Sequence, residues 1–488
     1  MTHGHTLTSK ILFKDLIIAL KEHAFEDTDF PIILSFEMHC DAKGQEKIAR
    51  LLEEHIRDQI FLIPTDYQNY EFYPSPNFLK NKFVIKSKGR KITPNGIVSG
   101  KIEDEENDDD EIGENENKGE EISVKPLDAD QQIPDPAENT VNKKDEKTNL
   151  PEEVEIQVVD AKKKTFRGPY TGEGKLHLEI KPVYESGGDY DLVTETGGVM
   201  DFGLVSKSYQ KPLLKAKEEL AAYFSLLSSK FSMKGPRTPW EIASLNENKI
   251  QSLLKKDPKG IVDWAKKYWI RVFPMGTRVD SSNYDPCKPW QSGAQMVALN
   301  FQTADEPNLL NYAKFAKNGG CGYVLKPECM LSDTLKDPSR ANYPHFMTTP
   351  KLKLTVKIIS GQLLKNEKIS NRDIPDPFVE VKIRGLDIDE AQNTVLKTPV
   401  INNNGFNPNW AAFGNKSTQS FQINAPDFAT LVFKVFDKDA LSVERMSWYA
   451  IELNDIQTGY RVVPMLNSKF EVIKNCYLLV HITLTEYK

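Results

Sequence analysis

The amino-acid sequence predicts an α/β barrel-like domain that is interrupted by an acidic insertion and followed by an all-β sandwich. Residues 32–34 are apolar at consecutive positions between two helical patterns, which is typical of a parallel strand buried on both faces. A long acidic stretch then separates two regions of this α/β type. From Leu352 onward apolar and polar residues alternate, which indicates antiparallel strands with one buried face.

Residues 1–90 are predicted to form the first part of the barrel. The spacing of apolar residues predicts one helix before the strand at 32–34 and a second helix after it, with Asp41 as the cap of the second. The stretch 79–86 is predicted to be a short strand that carries Lys80 and Lys82.

Residues 91–208 are predicted to be a disordered linker. Acidic residues are concentrated at 103–121, where apolar residues are few, so the segment cannot bury enough surface to offset the entropy of ordering. Both an inert spacer and an electrostatic role are consistent with this composition.

Residues 209–332 are predicted to complete the barrel, and residues 351–488 to form the sandwich. In the first of these regions helical patterns alternate with apolar strands, and the last strand follows a glycine-rich approach at 319–326. Residues 333–350 are polar and contain three prolines, so they are predicted to be a linker. About 135 residues with period-two patterning fit one antiparallel sandwich.

Bulk composition excludes several classes of protein. The formal net charge of −7 argues against a nucleic-acid binder. Five widely spaced cysteines indicate a reducing compartment rather than a disulfide framework. The sequence contains no run of about 18 apolar residues and no signal-peptide pattern, so we expect any membrane contact to be peripheral.

Several polar and aromatic residues near strand ends are candidates for function. Glu37 follows the first strand, at the end where α/β barrels bind ligands; it is either a metal ligand or acid/base group, or an ordinary solvent-facing residue. Lys80, Lys82 and Arg271 can clamp phosphate groups, or can lay their stems over apolar surface. Phe273 lies on the same side of its strand as Arg271, and core packing is the alternative explanation.

The sandwich carries acidic and amide residues in its loops. Asp376, Asn403, Asp437 and Asp439 are placed at predicted strand ends. Ca²⁺ needs six to eight hard oxygen ligands in a flexible cage, and these residues offer such oxygens. Turn geometry alone also favours Asp and Asn, so both explanations stay open.

Five sequence motifs, in order, resemble the eukaryotic phosphoinositide-specific phospholipase C family. The motifs lie at residues 3–15, 31–40, 278–284, 295–303 and 318–327. They follow the family's order of X half-barrel, acidic linker, Y half-barrel and C2 domain. The resemblance implies a TIM-like barrel and Ca²⁺-dependent cleavage of phosphatidylinositol 4,5-bisphosphate to diacylglycerol and inositol 1,4,5-trisphosphate. It also implies a cytoplasmic signalling enzyme that binds the anionic plasma membrane peripherally.

The resemblance assigns roles to individual residues of this sequence. His3 matches a catalytic histidine, and Glu37 matches a Ca²⁺ ligand. The residues that match headgroup contacts are Lys80, Lys82, Ser244, Arg271 and Phe273. The residues that match calcium ligands of the C2 domain are Ile374 (through its carbonyl), Asp376, Asn403, Asp437 and Asp439. We therefore expect the five headgroup residues to lie together beside Glu37.

The sequence also departs from the family pattern. The family's first catalytic histidine and three of its four barrel Ca²⁺ ligands precede the motif at His3 and have no counterpart here, which predicts two missing barrel strands. The alternative function is therefore a catalytically dead phospholipase-like protein that binds calcium and phospholipid. Past Asp439 a further calcium-loop Asp is not evident and Arg445 adds positive charge, so we expect weakened Ca²⁺ binding. By resemblance, the acidic linker covers the barrel mouth and is repelled by anionic membrane.

Overall fold

The computed structural model describes residues 11–38, 40–93, 218–234, 237–331, 349–364, 374–439 and 441–487, together with short strands between residues 96 and 215. His3 and the acidic run at 103–121 lie outside the described residues, as does most of the predicted linker at 91–208. No described helix is long and apolar enough to cross a bilayer. All five cysteines are free thiols.

The described part of the chain contains eight α-helices and 21 strands. The helices are α1 (Phe13–His23), α2 (Ala42–Ile56), α3 (Glu218–Ala221), α4 (Glu247–Lys256), α5 (Pro258–Lys267), α6 (Cys287–Gln291), α7 (Glu306–Phe315) and α8 (Asp387–Gln392). The strands before residue 300 are β1 (Ile32–Ser35), β2 (Phe83–Ser87), β3 (Arg90–Thr93), β4 (Gly96–Ser99), β5 (Lys101–Ile102), β6 (Glu153–Ile156), β7 (Phe166–Thr171), β8 (Lys175–Leu176), β9 (Leu214–Lys215), β10 (Phe224–Ser228), β11 (Glu241–Asn246), β12 (Trp269–Phe273) and β13 (Met296–Val297). The later strands are β14 (Leu352–Gln362), β15 (Pro377–Arg384), β16 (Leu396–Lys397), β17 (Thr418–Ile423), β18 (Thr430–Lys438), β19 (Val443–Glu452), β20 (Gly459–Leu466) and β21 (Val472–Glu486).

A six-stranded parallel sheet forms the barrel part of the molecule. Its order is β1-β2-β10-β11-β12-β13, so β2 pairs with β10 across the whole inserted segment. The predicted Asp41 cap is present, because the Asp41 carboxylate accepts a hydrogen bond from the Gly44 amide at the start of α2. The strands β6, β7 and β8 form a separate small antiparallel sheet in a second compact unit.

Each strand of the parallel sheet contributes one apolar residue to a layer on its inner face. These residues are Ile33, Val84, Leu226, Ile242, Trp269 and Met296. The alternate residues of the same strands face the helices, where Phe83 and Ile85 pack with α1 and α2, and Ile270 and Val272 pack with α4 and α5. This apolar layer covers the inner face of the sheet below the carboxyl ends of the strands.

Two strand predictions in the second barrel region differ from the structure. The stretch 295–302 contributes β13, which is two residues long, although the Ala298 amide still donates to the Val272 carbonyl. The stretch 319–326 contains no strand; Asn318–Gly320 forms a 3-10 turn there. Instead the Tyr323 hydroxyl donates to the Pro31 carbonyl at 2.9 Å, ahead of β1. A side-chain hydrogen bond therefore connects this stretch to the segment before β1.

The antiparallel sandwich confirms the period-two prediction for the last region. Strands β14, β17, β20 and β21 form one layer and β15, β16, β18 and β19 the other, joined by the pairing of Trp448 with Leu466. The core between the layers is built from alternate residues such as Leu354, Val381 and Phe433.

One outer face of the sandwich packs against helix α7 of the barrel. Leu309, Leu310 and Ala313 on the helix form a buried cluster with Val432 and Trp448 on the sandwich. The Gln291 side chain, in α6, also donates to the Gly385 carbonyl at 2.9 Å. The barrel and the sandwich therefore share an apolar interface.

Candidate functional site

The polar residues of the barrel follow directly from the apolar layer. Side chains alternate along a strand, so the residue two positions beyond each layer residue also faces inward, nearer the carboxyl end. These residues are Ser35, Lys86, Ser228, Ser244, Arg271 and Ala298. The carboxyl edge of the sheet thus has a polar inner face with two cations, which is where α/β barrels bind ligands.

Ser244, Arg271 and Phe273 lie together, as the sequence predicted. Ser244 of β11 is the register partner of Arg271 of β12. The Arg271 guanidinium carbon lies 5.4 Å from the centre of the Phe273 ring, on the same face of the strand. Glu37 follows β1 at the same edge with the inward parity of Ser35, and it is exposed. An arginine, a hydroxyl and an aromatic face suit a phosphorylated sugar.

Lys80 and Lys82 do not lie at this edge, so their predicted placement beside Ser244 and Arg271 was wrong. The strand begins at Phe83, after both lysines, and they therefore lie at its amino end, below the apolar layer. The Lys80 ammonium pairs with the Asp29 carboxylate at 2.8 Å, and the Lys82 ammonium donates to the Asp58 carbonyl at 2.7 Å.

Lys86 and Lys88 take the place at the carboxyl edge that was predicted for these two lysines. Lys86 is the fourth residue of β2, is 1% exposed and pairs in register with Ser35. Lys88 follows the strand, is half-buried and has the same parity. In the sequence, Val84, Lys86 and Lys88 occupy alternate positions, as residues on one face of a strand do. This pattern can be assigned to β2 only when the strand is known to begin at Phe83.

An ion pair between buried Glu247 and partly exposed Arg278 holds the loop that follows Phe273. The Glu247 carboxylate, at the start of α4, accepts hydrogen bonds from the Arg278 guanidinium and from the Met275 amide. Burial would raise the pKa of Glu247, but these hydrogen bonds and the charge of Arg278 lower it below its usual value. This loop, residues 274–283, is called the mouth loop below.

Three of the residues predicted for the calcium loops of the sandwich are directly connected. The Asp437 carboxylate accepts from the Asp376 amide at 2.8 Å, and the Asp376 carboxylate accepts from the Asn403 amide at 2.6 Å. Asp437 is fully buried at the end of β18. Asp439 follows the same strand, and Ile374 lies before β15 with 48% of its surface exposed.

The contacts of the Arg445 side chain lie at the barrel interface, and its expected effect on calcium binding stays a prediction. Its guanidinium carbon lies 3.5 Å from the centre of the Trp448 ring, and its Nη2 donates to the Ala304 carbonyl at 3.3 Å. Its charge is therefore directed at the barrel interface.

The two calcium predictions fit the described residues unequally. Within the described ranges, three or more ligand atoms of His, Cys, Asp or Glu come within 4.8 Å of one another at Asp285, Cys287 and Glu390, where Arg384 already bonds both carboxylates. Within the described residues Glu37 belongs to no such group, and neither do Asp376, Asp437 and Asp439. A single carboxylate such as Glu37 does not make a Ca²⁺ site. The sandwich loops offer several hard oxygens, which fits calcium in donor chemistry.

Comparison with known proteins places these features in one family. Residues 1–89 match the X domain and residues 217–329 the Y domain of phosphatidylinositol-specific phospholipase C, and residues 352–466 match the C2 domain. The crystal structure of S. officinalis PLC21 is similar with a TM-score of 0.68 and 25% identity, covering 100% of this chain and 49% of that one.

Curated relatives align with nearly the whole chain. It is 30% identical over 517 residues to human 1-phosphatidylinositol 4,5-bisphosphate phosphodiesterase eta-2 and 31% identical over 488 residues to the delta-4 protein of Xenopus laevis, covering 99% of this chain and 35% and 53% of theirs. It is also 28% identical over 484 residues to the mouse protein named inactive phospholipase C-like protein 2, covering 99% of this chain and 35% of that protein. The chain thus spans between about a third and a half of these relatives' length. The X, Y and C2 matches in this order, with relatives aligned from end to end of the chain, show that it belongs to the eukaryotic phosphoinositide-specific phospholipase C family.

Proposed function

We propose that the chain binds the headgroup of phosphatidylinositol 4,5-bisphosphate at the carboxyl edge of the parallel sheet and cleaves its phosphodiester. The products would be diacylglycerol and inositol 1,4,5-trisphosphate. One observation carries the proposal: Lys86, Ser244, Arg271 and Phe273 have the inward parity of the sheet beyond its apolar layer, and Lys88 follows β2 at the same edge. The names of the phosphodiesterase relatives support the substrate.

The chemistry of these side chains suits an anionic sugar. Lys86, Lys88 and Arg271 place positive charge where ring phosphates would sit, and the arginine fork can bind one phosphate with two hydrogen bonds. The Phe273 ring offers an apolar face to the inositol ring. The same cations would oppose the negative charge on phosphoryl oxygens as the phosphodiester is cleaved.

We propose that the protein is cytoplasmic and reaches its substrate at the anionic face of the plasma membrane, with Ca²⁺ held in the C2 loops. Val279 in the mouth loop is 93% exposed and Phe301, after β13, is 71% exposed. Both follow carboxyl ends of strands, and the Thr303 hydroxyl donates to the Ser281 carbonyl, so the two segments are joined. Apolar side chains at this edge favour contact with a lipid surface.

A calcium- and phospholipid-binding protein without catalysis is the second candidate function. It is supported by the similarity to the relative named inactive and by the connected C2 loop residues Asp376, Asn403 and Asp437. The two functions share headgroup binding and differ in turnover.

Calorimetric titration and vesicle hydrolysis together test both candidates. We expect the chain to bind inositol 1,4,5-trisphosphate but not inositol, and Arg271→Met to weaken this binding at least tenfold. Arg50→Met is the matched control, because Arg50 lies exposed on α2. Release of the trisphosphate from phosphatidylinositol 4,5-bisphosphate vesicles with Ca²⁺ would establish the enzyme, and binding without release the second candidate. Absence of binding would contradict both.

A further inference from the structure

Residues 304–306 lie between the mouth loop and the C2 domain and contact both. They precede and begin helix α7, which packs on the sandwich. Asp305 caps this helix by accepting a hydrogen bond from the Asn308 amide at 3.1 Å. The side chains that bond to this segment, from the barrel on one side and from the C2 domain on the other, are charged or polar.

On the barrel side, Asp305 holds the end of the mouth loop. Its carboxylate accepts from the Asn283 backbone amide at 3.1 Å and from the Asn283 side-chain amide at 3.0 and 3.1 Å. The Asn283 side chain in turn accepts from the Asn300 amide at 2.6 Å. Within the loop, Ser281 has a positive φ of 57°, a backbone conformation that surrounding contacts must stabilise.

On the C2 side, three cations surround Glu306. Its carboxylate pairs with Lys382 at 2.8 Å and Lys434 at 2.5 Å and also binds Arg384. The Glu306 side chain is 12% exposed, so water screens these pairs only weakly. The Arg445 guanidinium bonds to the carbonyl of Ala304, two residues earlier.

We propose that Glu306 is a positioning residue through which docking of the C2 domain sets the mouth loop beside the headgroup site. C2 cations fix Glu306, the adjacent Asp305 fixes Asn283, and the loop that ends there starts directly after Phe273. Because two consecutive residues share one backbone, freeing Glu306 also frees the Asp305 carboxylate to move. The consequence for ligand binding depends on the function proposed above; the mechanical coupling does not.

Hydrogen exchange followed by mass spectrometry on the whole chain tests the coupling without any activity. We expect Glu306→Gln to speed exchange at least threefold in peptides covering residues 274–283, which Glu306 does not contact. Glu486→Gln is the control, because Glu486 lies exposed at the end of β21 in the other layer of the sandwich. Unchanged exchange in the mouth loop, with changes confined to α7 and the C2 strands, would overturn the proposal.

A second variant keeps the test decisive if Glu306→Gln does not fold. Lys382→Met leaves every barrel residue in place and should also speed exchange at 274–283, whereas an unaffected loop in this variant would refute the coupling. The dissociation constant for inositol 1,4,5-trisphosphate should rise severalfold in each folded variant. If the unaltered chain does not bind the trisphosphate, the proposed function fails while the exchange result still decides the coupling.

Discussion

Arg278 donates two parallel hydrogen bonds to Glu247, from Nε to Oε1 and from Nη2 to Oε2, each at 2.6 Å. The pair joins the mouth loop to the first turn of α4, and Oε1 also accepts from the Met275 amide at 3.1 Å. Glu247 is 5% exposed and holds the start of the mouth loop through Met275. Asp305, the cap of α7, holds its end through Asn283.

Removing this pair should destabilise the fold. We expect Glu247→Ala to lower the free energy of unfolding by about 2 kcal/mol, because it leaves a guanidinium and an amide without their charged acceptor. Urea unfolding followed by tryptophan fluorescence measures this change. Glu54→Ala is the control, since Glu54 is exposed and 3.9 Å from Arg50. An equal loss in both variants would show that the loop pair has no special role.

The stability contributed by Glu306 should depend on pH. Burial would raise the pKa of Glu306, but hydrogen bonds from Lys382 and Lys434 and the charge of Arg384 lower it from 4.5 to about 2. A lowered pKa means that the contribution is complete above pH 4.5 and is lost as pH falls toward 2, and it amounts to about 3 kcal/mol.

Urea unfolding at several pH values measures this dependence. The difference in unfolding free energy between the unaltered chain and Glu306→Gln should be constant from pH 7 to 5 and shrink below pH 4.5. A difference that stays constant down to pH 3 would contradict the lowered pKa.

Loss of a lysine should weaken headgroup binding at the carboxyl end of β2 but not at its amino end. We expect Lys88→Met to weaken binding of inositol 1,4,5-trisphosphate about tenfold, because one charge-assisted phosphate contact is lost. Lys82→Met should leave the affinity unchanged, since Lys82 lies at the amino end and bonds the Asp58 carbonyl. Calorimetric titration separates the variants. Weaker binding in Lys82→Met alone would restore the sequence-based assignment.

Calcium binding by the C2 loops should raise thermal stability. A ligand that binds the folded chain raises the melting temperature by mass action, so we expect millimolar Ca²⁺ to raise it and Asp376→Asn to remove most of the shift. Asp427→Asn is the control, because Asp427 is paired with Asn454 away from these loops. Scanning calorimetry with and without chelator measures the shift. A melting temperature unmoved by Ca²⁺ would contradict the C2 assignment.

Local sequence patterns predicted the strands and the helix cap better than they predicted which residues come together at the site. Period-two alternation gave the sandwich, and Asp41 was recognised as a cap because both signals are local. Of the five headgroup residues, Ser244, Arg271 and Phe273 share the inner face. The lysines were misplaced because the position of a residue along a strand depends on where pairing begins, and the partner strand sets that start.

Contacts between distant segments were not predictable from the sequence. Nothing local marks Glu306 as the partner of Lys382, Arg384 and Lys434, since surface helices commonly begin with an acidic residue. The stretch 319–326 has a strand-like pattern, but strand pairing did not form, because tertiary context decides whether an apolar run becomes part of a sheet.

The pairing of β2 with β10 joins neighbours that residues 88–223 separate along the chain. The entropic cost of closing a loop grows only as the logarithm of its length. A long inserted segment therefore lowers the stability of the folded state only slightly. The folding rate is affected more strongly, because it falls as contacting residues become more distant in sequence. Assembly of the central sheet should therefore be slow, and its late step should be the meeting of these two strands.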